Sequence, residues 1–171
     1  MWNVRFFETL SKETKKNLEK EILRAYNECK FDLEKLNRKK LSKLNFNKNG
    51  NLIKRIYSTF SIMTSIGYTG AAKVLHILKP NVFMMWDLEI RRAYFKINNN
   101  IRDPAKFYLK FLQKSKKIIN AILRLVDEKT LWLHHMEFLD KNFVKSFSFS
   151  ETILKMLDEC NYLKLNLNVA I

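Results

Sequence analysis

Three glycines, two prolines and two cysteines in 171 residues leave this chain short of material that several fold classes require. Average usage is roughly 7% Gly and 5% Pro. So few breakers cannot furnish the tight turns of a many-stranded sandwich or barrel, which excludes those architectures. Cys29 and Cys160 are too few for a disulfide framework, or for a four-cysteine zinc or iron–sulfur site supplied by this chain alone, and read as reduced thiols. A long hydrophobic run is missing too. The longest uncharged stretch, 56–72, holds three Ser, three Thr and two Gly and is too polar to span a membrane. Near the start, Arg5, Glu8, Lys12 and Glu13 interrupt any apolar run that a cleavage site could follow, so no secretory signal is expected and an intracellular protein is.

What the chain does have is positive charge: 32 Lys and Arg stand against 17 Asp and Glu, for a net +15. Residues 1–60 carry 15 against 7, residues 61–120 carry 11 against 3, and residues 121–171 carry 6 against 7. The whole excess therefore lies in the first 120 residues. An uneven excess of this size is the footprint of a polyanion binder, because cations that neutralise phosphates release condensed counterions. Nucleic acid is the expected partner; a solvated basic surface, an anionic membrane surface and an acidic protein are the alternatives. With 47% hydrophobic residues the chain can build a core, so disorder is excluded.

The apolar spacing is helical. Leu18, Ile22, Ala25, Cys29, Leu33, Leu36, Leu41 and Leu44 recur at three- to five-residue steps, predicting one helix over 11–44 or two with a break near Lys30. Asn45 to Asn51 (NFNKNGN) reads as a loop, and a second helix is expected over 52–65. After Gly67-Tyr68-Thr69-Gly70 a helix over 71–78 is ended by Lys79-Pro80, and Asp87 is placed to cap a helix over 88–95. Asp103-Pro104 opens another that runs to about Val126, with Phe107, Phe111, Ile118, Ile122 and Val126 inward. Thr130 is placed to cap a helix over 131–143, Ser148-x-x-Glu151 is a capping-box pattern, and 163–171 alternates like an extended tail. The expectation is an all-α bundle of roughly seven helices in a single domain, 1–171. A division into lobes, 1–50 with the C-terminal helices and 51–127 around the hairpin, is the alternative.

Ser65 to Tyr94, SIGYTGAAKVLHILKPNVFMMWDLEIRRAY, resembles the helix-hairpin-helix base-excision DNA glycosylases. In that family a Gly-containing hairpin opens a small-residue helix, a Pro-containing connector follows, and a catalytic Asp starts the next helix. The resemblance puts Gly67, Tyr68, Thr69 and Gly70 at the hairpin, Lys79 to Phe83 in the connector, and Asp87 at the catalytic position. It covers about 30 residues and departs in two places. Two residues separate the glycines instead of one, and the lyase lysine has no match, Lys73 lying about one turn too far along. The segment is also similar to prokaryotic proteins with an (S/A)KxLHxxxPxxFxxWD signature, matched from Ala72 to Asp87, a likeness that brings no chemistry with it.

The resemblance implies a duplex-DNA binder, with phosphate held by Gly67, Tyr68, Thr69, Gly70, Lys73, Arg91 and Arg92, and Tyr68, Phe83 and Trp86 available to stack on an extruded base. A monofunctional N-glycosylase using Asp87 to stabilise charge developing on the sugar, with Lys73 a remote second candidate, is the enzymatic form. A DNA- or RNA-binding module without chemistry, and an interaction protein for an acidic partner, are the alternatives. Asp87 as a plain helix cap, and Phe83 and Trp86 as core residues, are the bland counterparts. Neither metal nor cofactor is expected: the neighbours His134 and His135 diverge by about 100° on a helix and lack the four-residue spacing of a zinc pair.

Overall fold

The computed structural model describes residues 11–96, 101–126 and 130. They hold five α-helices, a short 3-10 helix and no strand: α1 (Lys12–Glu34), the 3-10 turn (Leu41–Lys43), α2 (Phe46–Ser61), α3 (Gly67–Leu78), α4 (Leu88–Phe95) and α5 (Pro104–Leu125). The all-α expectation holds over these residues. The expected helix over 131–143, the Ser148 to Glu151 pattern, the tail, His134, His135 and Cys160 lie outside the described residues.

α1 begins where Ser11 accepts the Thr14 amide at 3.1 Å. It buries Ala25, Cys29 and Leu33, and the apolar series continues inward past its end through Leu36, Leu41 and Leu44. The break falls after Glu34, four residues past Lys30. There the amides of Leu36 and Asn37 tighten onto Leu33 and Glu34, and Arg38 takes a positive φ of 59°.

The stretch read as a loop, 45–51, is the start of α2. Asn45 caps it, its side-chain oxygen accepting from the amides of both Asn47 and Lys48. One cap satisfies two otherwise orphaned donors, and the apolar face of Ile53, Ile56, Tyr57 and Phe60 holds the turn in place. Position 50, the edge of the two-lobe alternative, thus lies inside a helix, and residues on both sides of it share one hydrophobic core.

α2 is the central element, packing against α1, α3 and α5. Tyr57 stacks on Tyr108 of α5 with ring centroids 4.1 Å apart, and Trp86 meets Tyr108 at 5.1 Å and Phe111 at 5.7 Å. α5 starts as expected, Asp103 accepting the Lys106 amide ahead of Pro104. Its inward face differs from the expected one: Ala105, Tyr108, Phe111, Leu112, Ser115 and Ile119 are buried, while Phe107, Ile118, Ile122 and Val126 are half-buried. No described helix is long and apolar enough to cross a membrane.

Candidate nucleic-acid interface

Three elements meet at the first turn of α3. The chain reverses over 62–66, and Gly67 opens the helix with φ of +58°, a left-handed conformation that costs an L side chain about 1–2 kcal/mol. The hairpin therefore lies ahead of the glycines expected to flank it, and Gly67 to Gly70 form the first helical turn. Ile66 at the N-cap has no side-chain acceptor to offer. The Gly67 amide donates to the Met63 carbonyl at 2.9 Å, no side chain caps the rest of the first turn, and the helix dipole leaves partial positive charge there.

This turn is fixed from below by a chain of hydrogen bonds. Trp86 Nε1 donates to the Tyr57 hydroxyl at 2.9 Å, and that hydroxyl donates to the Tyr68 carbonyl at 2.9 Å. Burial pushes the Tyr57 phenol above its ordinary range, so it stays a donor. His76 adds a second tie from α3 to the connector, its Nδ1 2.7 Å from the Phe83 carbonyl.

Arg91 reaches the same turn from α4. It is only 4% exposed, its Nη1 donates to Thr69 Oγ1 at 3.1 Å, and its Nε has no hydrogen-bond partner. The guanidinium lies over Trp86 at 5.6 Å and Tyr68 at 6.0 Å from the ring centroids. Among the described residues no carboxylate lies within ion-pair distance of it. Burial pulls its pKa down, opposed by the field of the Tyr57 phenol and of Asp87. Arginine nevertheless stays charged, so this is a buried cation compensated by two aromatic faces and one hydroxyl.

Asp87 caps α4. Its Oδ1 accepts the Ile90 amide at 2.9 Å, which satisfies the ordinary requirement of a helix start. Phe83 and Trp86, expected as stacking residues, are 0% and 1% exposed and sit in the aromatic core. No base reaches them without dismantling that core, which leaves Tyr68 as the half-buried aromatic at the turn. Arg92 is turned outward and pairs with Glu89 at 2.6 Å on the surface. Lys73 is half-buried one turn beyond Thr69 on α3. The structure thus brings together Gly67, Tyr68, Thr69, Gly70 and Arg91.

Sequence reasoning overlooked Tyr57, which nothing in a helical run marks as a hub. It also overlooked a legible signal: no acid occurs from Lys35 to Trp86, and residues 35–126 carry 20 Lys and Arg against Asp87, Glu89 and Asp103 alone. Two of those three carboxylates cap helices and the third holds Arg92. Among the described residues no group of three or more His, Cys, Asp or Glu could hold a metal ion. No family model, curated protein or solved structure matches the chain.

Proposed function

We propose that the protein binds nucleic acid, duplex DNA foremost, and that a backbone phosphate docks at the first turn of α3 between its uncapped amides, Thr69 and Arg91. The observation that carries this reading is the buried guanidinium with no carboxylate among the described residues within ion-pair distance. An unpaired buried charge is costly, and a phosphate arriving at the turn beside it offsets that cost through its field. The 20-to-3 imbalance along residues 35–126 supplies the long-range attraction.

Binding without chemistry is the form the site supports. One oxygen of Asp87 is spent on the Ile90 amide, and two of the three expected stacking rings are in the core. On duplexes carrying oxidised, deaminated or alkylated bases, no base release is expected from either wild type or Asp87→Asn. Release by wild type that the variant lacks would replace this form with a monofunctional N-glycosylase.

The binding test is Arg91→Met, which keeps the packing on Trp86 and removes the charge. Duplex affinity is expected to fall about tenfold, and the salt dependence to lose about 0.9 from its log–log slope, one phosphate contact. Thermal stability is expected to hold or rise, because an apolar replacement of a buried ion is often neutral or stabilising. Unchanged affinity with a large loss of stability would make Arg91 structural and overturn the reading.

A further inference from the structure

A second basic site shares no residue with the α3 turn. It is a cleft of about 540 Å³ lined by Phe46 of α2 and by Lys110, Gln113, Lys114, Lys116, Lys117 and Asn120 of α5. Neither α2, the 3-10 turn nor α5 contains an acidic residue, so four lysines line one opening with no carboxylate on those elements to balance them.

Surface lysines are ordinarily loose, each carrying about 2 kcal/mol of rotamer entropy. Three of these are held. Lys116 Nζ donates to the Leu44 carbonyl at 2.8 Å and lies 5.9 Å from the Phe46 ring centroid. Lys114 Nζ donates to the Tyr94 carbonyl at 3.2 Å and lies 4.7 Å over Phe95. Lys110 sits 5.4 Å over Phe107. An ammonium has three donors, so Lys114 and Lys116 each keep two beyond these carbonyl bonds. Pinning like charges beside one another works against stability and reduces the ordering cost of binding an anion.

The lining also carries more than charge. Phe46 offers an aromatic surface, and Gln113 and Asn120 offer amides that both donate and accept, along a stripe about 15 Å long at 1.5 Å per residue. A duplex shows phosphates to such a surface and hides its base faces. Unpaired nucleotides present phosphates, ring faces and base edges together, which is the combination this cleft matches.

We infer that this cleft binds a short unpaired segment of nucleic acid, its phosphates on Lys110, Lys114 and Lys117 and a base against Phe46. The inference rests on the nucleic-acid reading but on a different surface, so the protein holds duplex at α3 and single strand at α5. The test uses the full chain and fluorescence anisotropy with a labelled oligothymidylate of about 15 nucleotides and a duplex of the same length. Lys110→Gln/Lys117→Gln changes two exposed side chains. It is expected to weaken strand binding about tenfold and to reduce its log–log salt slope by about 1.4, two contacts at 0.7 each. Phe46→Leu keeps the packing and loses the ring, with about tenfold weaker strand binding expected. Duplex affinity is expected to change less than twofold in both, with unchanged thermal melting.

Unchanged strand affinity, or equal losses on strand and duplex, overturns the inference. So does poly-glutamate competing as well as oligothymidylate of equal charge, which would make the cleft a site for acidic protein. A wild type that binds duplex and no strand removes this inference alone; one that binds neither removes the nucleic-acid reading with it.

Discussion

At the scale of single residues, the interior is organised by polar groups that its aromatic packing hides. The Tyr57 hydroxyl serves both the Trp86 indole and the Tyr68 carbonyl, so one oxygen ties together α2, the connector and the α3 turn. Cys29 is the opposite case, a thiol 3% exposed whose role is to fill space on α1. Burial, then the fields of Asp32 and Glu28, push its pKa from 9.0 up to about 11. The folded state thus keeps a proton that the unfolded chain releases above pH 9. Stability contributed by the neutral thiol is full below pH 9 and is lost as pH rises toward 11, by on the order of 2 kcal/mol. In a Cys160→Ser background, Cys29→Ala is expected to flatten the fall in denaturation midpoint over that window. Equal slopes with and without the thiol would show that Cys29 titrates as an exposed group.

At the scale of elements, two glycines do opposite things, and substitution separates them. Gly67 has a positive φ with open space where a Cβ would stand, so Gly67→Ala strains the backbone without a clash and is expected to cost about 1–2 kcal/mol. Gly50 lies in the first turns of α2, where a Cβ would meet Leu109 at 3.4 Å, an ordinary contact. Gly50→Ala is expected to stabilise by about 0.5–1 kcal/mol through helix propensity. Chemical denaturation of the two variants reads both signs, and a destabilising Gly50→Ala would mean that Leu109 cannot yield. These positions also show where sequence reading stopped. Asp87 and Asp103-Pro104 were legible because a cap is a local device, complete within four residues. The start of α2 was not, because Asn and Gly at 45–51 favour a loop until the buried face of α2 outweighs them. The hairpin was displaced for a similar reason: a glycine at a helix start and a glycine in a turn look alike until φ is known.

At the scale of the whole molecule, charge was legible in amount and hidden in arrangement. The count over thirds of the chain located the excess, and the acid-free run from Lys35 to Trp86 was available to sharpen it. Which cations face one cleft, and which is buried, depends on how α2, α4 and α5 cross. The register of a helix against its neighbours is not written in its own period, which is also why Tyr108 and Ile119, and not Phe107 and Ile122, fill the core. The imbalance has a thermodynamic consequence. Like charges on residues 35–126 repel more in the compact state than in the unfolded chain, and salt screens them. Raising sodium chloride from about 50 to 500 mM is expected to raise Tm by a few degrees while weakening nucleic-acid binding. A Tm that falls with salt would mean that ion pairs such as those of Asp32 with Lys35 and Arg55 outweigh the repulsion.

The guanidinium over Trp86 gives the molecule an optical readout. Indole emission responds to charge held against the ring, and Trp86 is sealed from water, with its nitrogen bonded to Tyr57 and Arg91 5.6 Å from its centroid. A phosphate arriving at Arg91 alters the field on that ring without touching it. With Trp2 and Trp132 replaced by Phe, fluorescence from the remaining indole is expected to change when the α3 turn is occupied, and Arg91→Met is expected to remove that change.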